Sequence, residues 1–170
     1  MRDSDVLDNN PHVSRSALEA MHGQVFGWAL SRCGYEQTIA EDLVQQAYVE
    51  LLTGKARFNG ESSLKTFVFA VVQNLSRNRY RRVASRLRLL EKAGTDTGGD
   101  VTEPVEPDEH RDLWKAVQEL PARQRDIVEL VFCRELTIEE ASTVMGISVG
   151  TGRVHYDRAK KSLKIRLAND

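Results

Sequence analysis

Thirteen residues near the C-terminus constrain this chain more than any other stretch: Leu136-Thr137-Ile138-Glu139-Glu140-Ala141-Ser142-Thr143-Val144-Met145-Gly146-Ile147-Ser148. Thr137 followed three residues later by Glu140 is a capping box, so a helix starts there. Ala141 is small where two helices must cross closely, and Gly146 permits a tight turn. Ser148 is a good N-cap for a second helix. A small residue five positions before a turn glycine, flanked by apolar anchors, is the pattern of a helix-turn-helix.

The second helix is expected from about Val149 to Leu167. Val149, Tyr156, Ala159 and Leu163 would face the core. The opposite side offers Thr151, Arg153, Val154, His155, Arg158 and Lys161, with Ser148 at its start. Arginine matches guanine edges, and Thr or Val can meet a thymine methyl. Lys161 and Lys164 lie further along, where they would meet phosphates. The plainer reading is a helical hairpin with a solvated basic face. Asp157, which repels phosphate, and Gly152, which weakens a helix by about 1 kcal/mol relative to Ala, count for it. Caps, turn and charge pattern together outweigh them.

Net charge is −1, which taken alone argues against a nucleic-acid protein. The distribution of charge points the other way. Arg77 to Lys92 holds seven bases (Arg77, Arg79, Arg81, Arg82, Arg86, Arg88, Lys92) and one acid, Glu91. Arg153 to Arg166 holds six (Arg153, Arg158, Lys160, Lys161, Lys164, Arg166) and one acid, Asp157. Asp96 to Asp112 holds seven acids and one base, Arg111. Local fields, not the total, attract phosphates.

Upstream, Ser14 to Arg32 reads as a helix with Leu18, Met21, Val25, Trp28 and Ala29 on one stripe. Gly34 ends it. Thr38 with Glu41 suggests another capping box, opening a helix with Ile39, Leu43, Ala47 and Leu51 inward and Gly54 at its end. Phe58 to Ser62 is a turn. A long helix is expected next, Ser63 to Leu90, apolar in its first half and basic in its second. Gly94 to Pro107 is a flexible acidic linker. Leu113, Val117 and Leu120 form a stripe in the next helix. Pro121 opens another, with Ile127, Leu130 and Val131 inward. The fold class is therefore all-α: two small helical domains joined by a flexible acidic linker, 1–92, 93–111 and 112–170.

Cys33 and Cys133 form no CxxC and are expected to be buried reduced thiols. Neither a metal ligand set nor an acid–base or nucleophile constellation is legible, so no cofactor, no metal, no catalytic residue and no enzyme activity is expected. No apolar run reaches the roughly 18 residues of a membrane span and no signal peptide opens the chain, which makes a cytoplasmic location the expectation.

Three stretches resemble the extracytoplasmic-function sigma factors of bacterial RNA polymerase, and together they cover most of the chain. They are Ala40 to Tyr48 (AEDLVQQAY); Phe58-Asn59-Gly60 with Leu64 to Phe69 (LKTFVF), Asn74-Leu75 and Arg81-Arg82; and Leu120 to Arg125 (LPARQR) with the helix-turn-helix and Val149-Gly150-Thr151.

The resemblance implies a promoter-specific initiation factor whose partners are core RNA polymerase, promoter DNA and an anti-sigma factor. It implies that Asp42, Gln45 and Gln46 dock on polymerase. It implies that Phe58 to Ser63 form the loop that traps a flipped −10 base, with Asn59, Glu61, Ser62 and Ser63 as its polar groups. Asn74, Arg77, Asn78, Tyr80, Arg81 and Arg82 are then the single-strand face, where basic and aromatic groups act together. Phe67 and Phe69 occupy positions where the family often has aromatics, but core packing is the expectation for both. The chain departs from the family at Ala70 and Gln73, often basic there, and at Gly152, His155 and Asp157 in the −35 helix. A different class of function, a helix-turn-helix regulator acting without core polymerase, would bind its operator tightly alone.

Overall fold

A computed structural model describes residues 6–7, 10–94 and 111–169. The chain divides into two compact units, Met1–Glu103 and Pro104–Asp170. The expected linker falls outside the described residues except for Ala93, Gly94 and Arg111.

The first unit is a three-helix bundle with a short antiparallel ribbon at its start. Strand β1 is Val6–Leu7 and β2 is Asn10–Ser14. The ribbon adds two short strands that the sequence pattern did not disclose. Helix α1 is Arg15–Arg32, and Ser14 caps it by accepting the Ala17 N–H at 3.1 Å. Helix α2 is Gln37–Leu52 and α3 is Leu64–Lys92. The Thr38–Glu41 capping box does not form: the N-cap is Glu36, two residues earlier, without a side-chain cap. The first helical bond runs from the Ala40 N–H to the Glu36 carbonyl at 3.0 Å, so Thr38 sits exposed inside the first turn.

Trp28 and Phe69 are the largest wholly buried side chains of this unit. Their rings stack at 6.1 Å, and the Trp28 indole donates to the Phe69 carbonyl at 3.2 Å. Truncating such an aromatic costs about 3–5 kcal/mol. Phe69 therefore packs as expected. Phe67 is only half-buried and meets Phe58 at 5.3 Å, outside the main core.

One buried polar residue organises the exit from α2. Asn10 is fully buried, and its Nδ2 donates to the carbonyls of Leu51 and Ala56 while its Oδ1 accepts the Phe58 N–H at 2.9 Å. Such a group left without partners would cost about 1–3 kcal/mol, and here each is used.

The second unit contains α4 (Arg111–Gln118), α5 (Ala122–Val128), a π-helical turn (Glu129–Cys133), α6 (Ile138–Met145) and α7 (Val149–Ala168). Its core includes Ile127, Leu130, Ala141, Val144, Met145 and Ala159. Leu113, expected inward, is 44% exposed; Ala116, Val117 and Leu120 carry the buried face instead. Val131 is only half-buried, because the π turn inserts a residue and rotates the side chains beyond it. The same rotation puts Phe132 and Cys133 on the surface. Cys133 is thus exposed, not buried as expected, and Cys33 is half-buried.

Candidate nucleic-acid interface

The helix-turn-helix forms as its sequence dictates. Thr137 Oγ1 accepts the Glu140 N–H at 3.1 Å, and the Glu140 carboxylate accepts the Thr137 N–H at 2.8 Å. Gly146 closes α6 in the left-handed region at φ 66°, and the Ile147 N–H bonds back to the Ser142 carbonyl at 3.0 Å. Ser148 caps α7 by accepting the Thr151 N–H at 3.2 Å.

Beyond that turn α7 shows one outward row. Thr151, Arg153, Val154, Arg158 and Lys161 are exposed, and His155 is half-buried. Two of them are already engaged. The Ser148 hydroxyl donates to Thr151 Oγ1 at 2.8 Å, which leaves the Thr151 proton free to seek another acceptor. Arg153 pairs with Glu139 of α6 at 3.0 Å. Hydrogen bonds to its own backbone N–H and to Arg153 hold the Glu139 carboxyl below the usual carboxylate range. In the sequence Glu139 reads only as an acid in the first turn of a helix, where the dipole favours one.

The Asp157 carboxylate lies 3.6 Å from Lys160 Nζ, which itself sits 4.6 Å over the Tyr156 ring. Its repulsion of phosphate is correspondingly offset. Tyr156, expected in the core, is half-buried and stacks on exposed Phe132 at 5.9 Å. Gly152 is not a weak point but a buried contact: a Cβ there would lie 2.0 Å from Ser142 Oγ.

In the first unit, α3 runs 29 residues, about 43 Å at 1.5 Å per residue, and its last buried residue is Leu75. The rest carries seven bases, interspersed with exposed Val83, Leu87 and Leu89. Arg77–Arg81 and Arg82–Arg86 are like-charge pairs four residues apart, each costing a few tenths of a kcal/mol. A polyanion laid along this helix would relieve them. Asn74, Asn78, Arg81 and Arg82 are exposed, Arg77 is half-buried and Tyr80 is 75% exposed. Gln73 is buried, so its lack of charge costs the exposed face nothing.

Asp42, Gln45 and Gln46 are all exposed on α2. Asp42, Gln46 and Glu50 share a cleft of about 290 Å³ with Asn78, Arg79, Arg82 and Arg86 of α3. Two surfaces that the sequence assigned to different partners therefore meet along one groove. Glu50, Arg79 and Arg86 are additions to the expected site residues; the basic run from Arg77 is the signal for the two arginines.

The 59–63 loop is less open than expected. Asn59 Oδ1 accepts the Glu61 N–H at 3.3 Å, and Ser62 Oγ donates to the Ser63 carbonyl at 3.1 Å. The Ser63 hydroxyl caps α3, accepting the Thr66 N–H at 3.1 Å. The Asn59 amide nitrogen, the Glu61 carboxylate and the Ser62 hydroxyl oxygen are the groups left for a ligand.

A helical unit ending in a basic helix and a second carrying a capped helix-turn-helix both match one class, the sigma-70 type of transcription initiation factor. The Sigma-70 region 2 family model matches residues 17–86, and the Sigma-70, region 4 model matches 110–163. The ECF RNA polymerase sigma factor EcfG of Rhodopseudomonas palustris is 30% identical over 134 residues, 77% of this chain and 72% of that one. SigF of Caulobacter vibrioides is 26% identical over 161 residues, 95% and 89% of the two chains. The fold resembles that of the sigma factor RpoE of Bartonella quintana, solved with the anti-sigma factor NepR. The TM-score is 0.69 at 24% identity, over 92% of this chain and 97% of that one. The chain belongs to the ECF sigma factors of RNA polymerase, and it is an alternative sigma factor.

Proposed function

We propose that the two units divide promoter recognition between them. The observation that carries this reading is the outward row of α7, presented by a helix-turn-helix whose caps are all made. That row reads duplex −35 DNA in the major groove, with Arg158 on base edges and Lys161 on phosphate. The basic half of α3 takes the opened −10 strand, with Tyr80 as a stacking platform. The Asn59–Ser63 loop receives the flipped base. The exposed polar face of α2, Asp42, Gln45 and Gln46, docks on core polymerase. Catalysis belongs to the polymerase. No helix among the described residues is long and apolar enough to cross a membrane. We assign the protein to the cytoplasm, where polymerase and promoter are. The Bartonella sigma factor is solved in complex with an anti-sigma factor, and an anti-sigma factor that silences this protein is the expected partner here.

Transcription in vitro with purified core polymerase and genomic promoter fragments tests this. Promoter-specific transcripts and weak DNA binding without polymerase are expected. Tight operator binding by the protein alone, with no binding to core, would establish the independent regulator instead.

A further inference from the structure

We infer that Asn10 is a positioning residue for −10 selectivity, an inference that rests on the role proposed above for the 59–63 loop. Asn10 lies in β2, ahead of the stretch 17–86 matched by the region 2 model. Its carboxamide is wholly buried and ties down the chain where it leaves α2. Nδ2 donates to Leu51 and Ala56, and Oδ1 accepts from Phe58. These backbone groups lie beyond or at the frayed end of a helix, where helical partners run out. A single amide therefore sets the path of residues 51–58.

Phe58 opens that loop, just ahead of its polar residues 59–63. Its N–H is held by Asn10 and its ring by Phe67, 5.3 Å away on α3. The far end of the loop is fixed by Ser63, which caps α3. Four residues between two anchors have little freedom, so the placement of Asn59 and Glu61 depends on where Phe58 is held. Asp at position 10 has nearly the same shape. It would keep an acceptor for the Phe58 N–H but turn carboxylate oxygen toward two carbonyls, loosening the Leu51 and Ala56 ties.

The test uses the full chain as holoenzyme on a promoter it selects from genomic fragments. The readout is the ratio of initiation from that promoter to initiation from the same promoter with a single −10 base replaced. A general loss of stability lowers both rates and leaves their ratio unchanged. N10D is expected to reduce the ratio about tenfold, the scale of one recognised base. Core affinity and affinity for −35 duplex should stay within twofold of wild type, roughly the range of an unperturbed site. The N59A/E61A double variant, altered in the loop itself, is the control. An unchanged ratio in N10D with a reduced one in N59A/E61A overturns the inference and leaves the loop reading standing. Unchanged ratios in both overturn the two together. Should N10D fail to form holoenzyme, N10S, which keeps one hydrogen-bonding group, decides by the same ratio.

Discussion

Gly152 of α7 and Ser142 of α6 cross so closely that a Cβ on Gly152 would lie 2.0 Å from Ser142 Oγ and 3.2 Å from Ser142 Cβ, with Ile127 Cδ1 at 3.4 Å. The Ser142 hydroxyl is itself turned back onto the Ile138 carbonyl at 2.7 Å. Gly152→Ala therefore gains about 1 kcal/mol of helix propensity but meets an overpacking cost of about 1–3 kcal/mol. A net loss of about 1 kcal/mol is expected, seen as a lower melting temperature for the C-terminal unit in calorimetry. Adding Ser142→Ala removes the nearest atom and should recover most of the loss. Equal melting of single and double variants would show that the helices simply move apart.

The Arg153–Glu139 pair sits on the proposed DNA-facing surface and spends one of its positive charges. Both side chains are more than half exposed, so the pair adds little to stability. Glu139→Gln should leave melting unchanged, tighten binding to nonspecific duplex severalfold at low salt, and steepen the salt dependence by about one phosphate contact. Fluorescence anisotropy across a salt series measures both. Because the Glu139 carboxyl is held low, the pair persists as pH falls until well into the carboxylate range. It is lost only below about pH 4.5. An unaltered salt slope in the variant would mean that Arg153 does not reach DNA.

Arg158 tests the recognition row directly. It is exposed on α7 and, unlike Arg153, lies away from Glu139 along the helix. Arg158→Ala should weaken −35 duplex binding by about 1–3 kcal/mol, tenfold or more, if it contacts a base edge. Core affinity should not change. A parallel loss of core binding would point to a folding defect instead.

What was legible in the sequence was what local chemistry decides. The Thr137–Glu140 box, the Gly146 turn and the Ser148 cap depend on residues within a few positions of each other, and each formed. What was not legible depended on distant partners. Gly152 reads locally as a weak helix residue, and only Ser142, ten positions away, explains it. Asn10 carries no local signal, because its partners lie more than forty positions downstream. The inward placing of Val131 failed because a 3.6-residue period was carried through a π turn that breaks it. Thr38–Glu41 has the spacing of a capping box, but the helix is already under way at Gln37 and leaves Thr38 inside its first turn. For the 59–63 loop the sequence showed which polar groups were present but not that Ser63 would be committed to capping α3.

The two cysteines should differ in reactivity. Cys133 is exposed on the π turn, whereas Cys33 is half-buried, and burial pushes its thiol above the ordinary value. At about pH 8 a thiol reagent should modify Cys133 first, leaving Cys33 to react as the pH rises or the protein unfolds. The raised Cys33 pKa means the folded state prefers the neutral thiol. Its contribution to stability is intact below about pH 9 and declines above it. Peptide mapping after timed labelling identifies the order; equal rates at the two sites would contradict the burial difference.

Tyr80 gives the sharpest separation of fold from function in the first unit. It is 75% exposed on α3, five residues past the last buried position, Leu75. Surface substitutions of that kind usually alter stability by no more than about 0.5 kcal/mol. Base stacking on an aromatic is worth about 1–3 kcal/mol. Tyr80→Ala should therefore melt like the wild type while holoenzyme affinity for a single-stranded −10 oligonucleotide falls about tenfold or more. Tyr80→Phe, which keeps the ring, should bind nearly as well as wild type, and Tyr80→Leu, apolar but not aromatic, should not. If Leu restored binding as well as Phe, the contact would be apolar packing and not stacking. If neither mattered, the strand would follow another face of α3, and the cleft lined by Arg79 and Arg86 would be the next surface to probe.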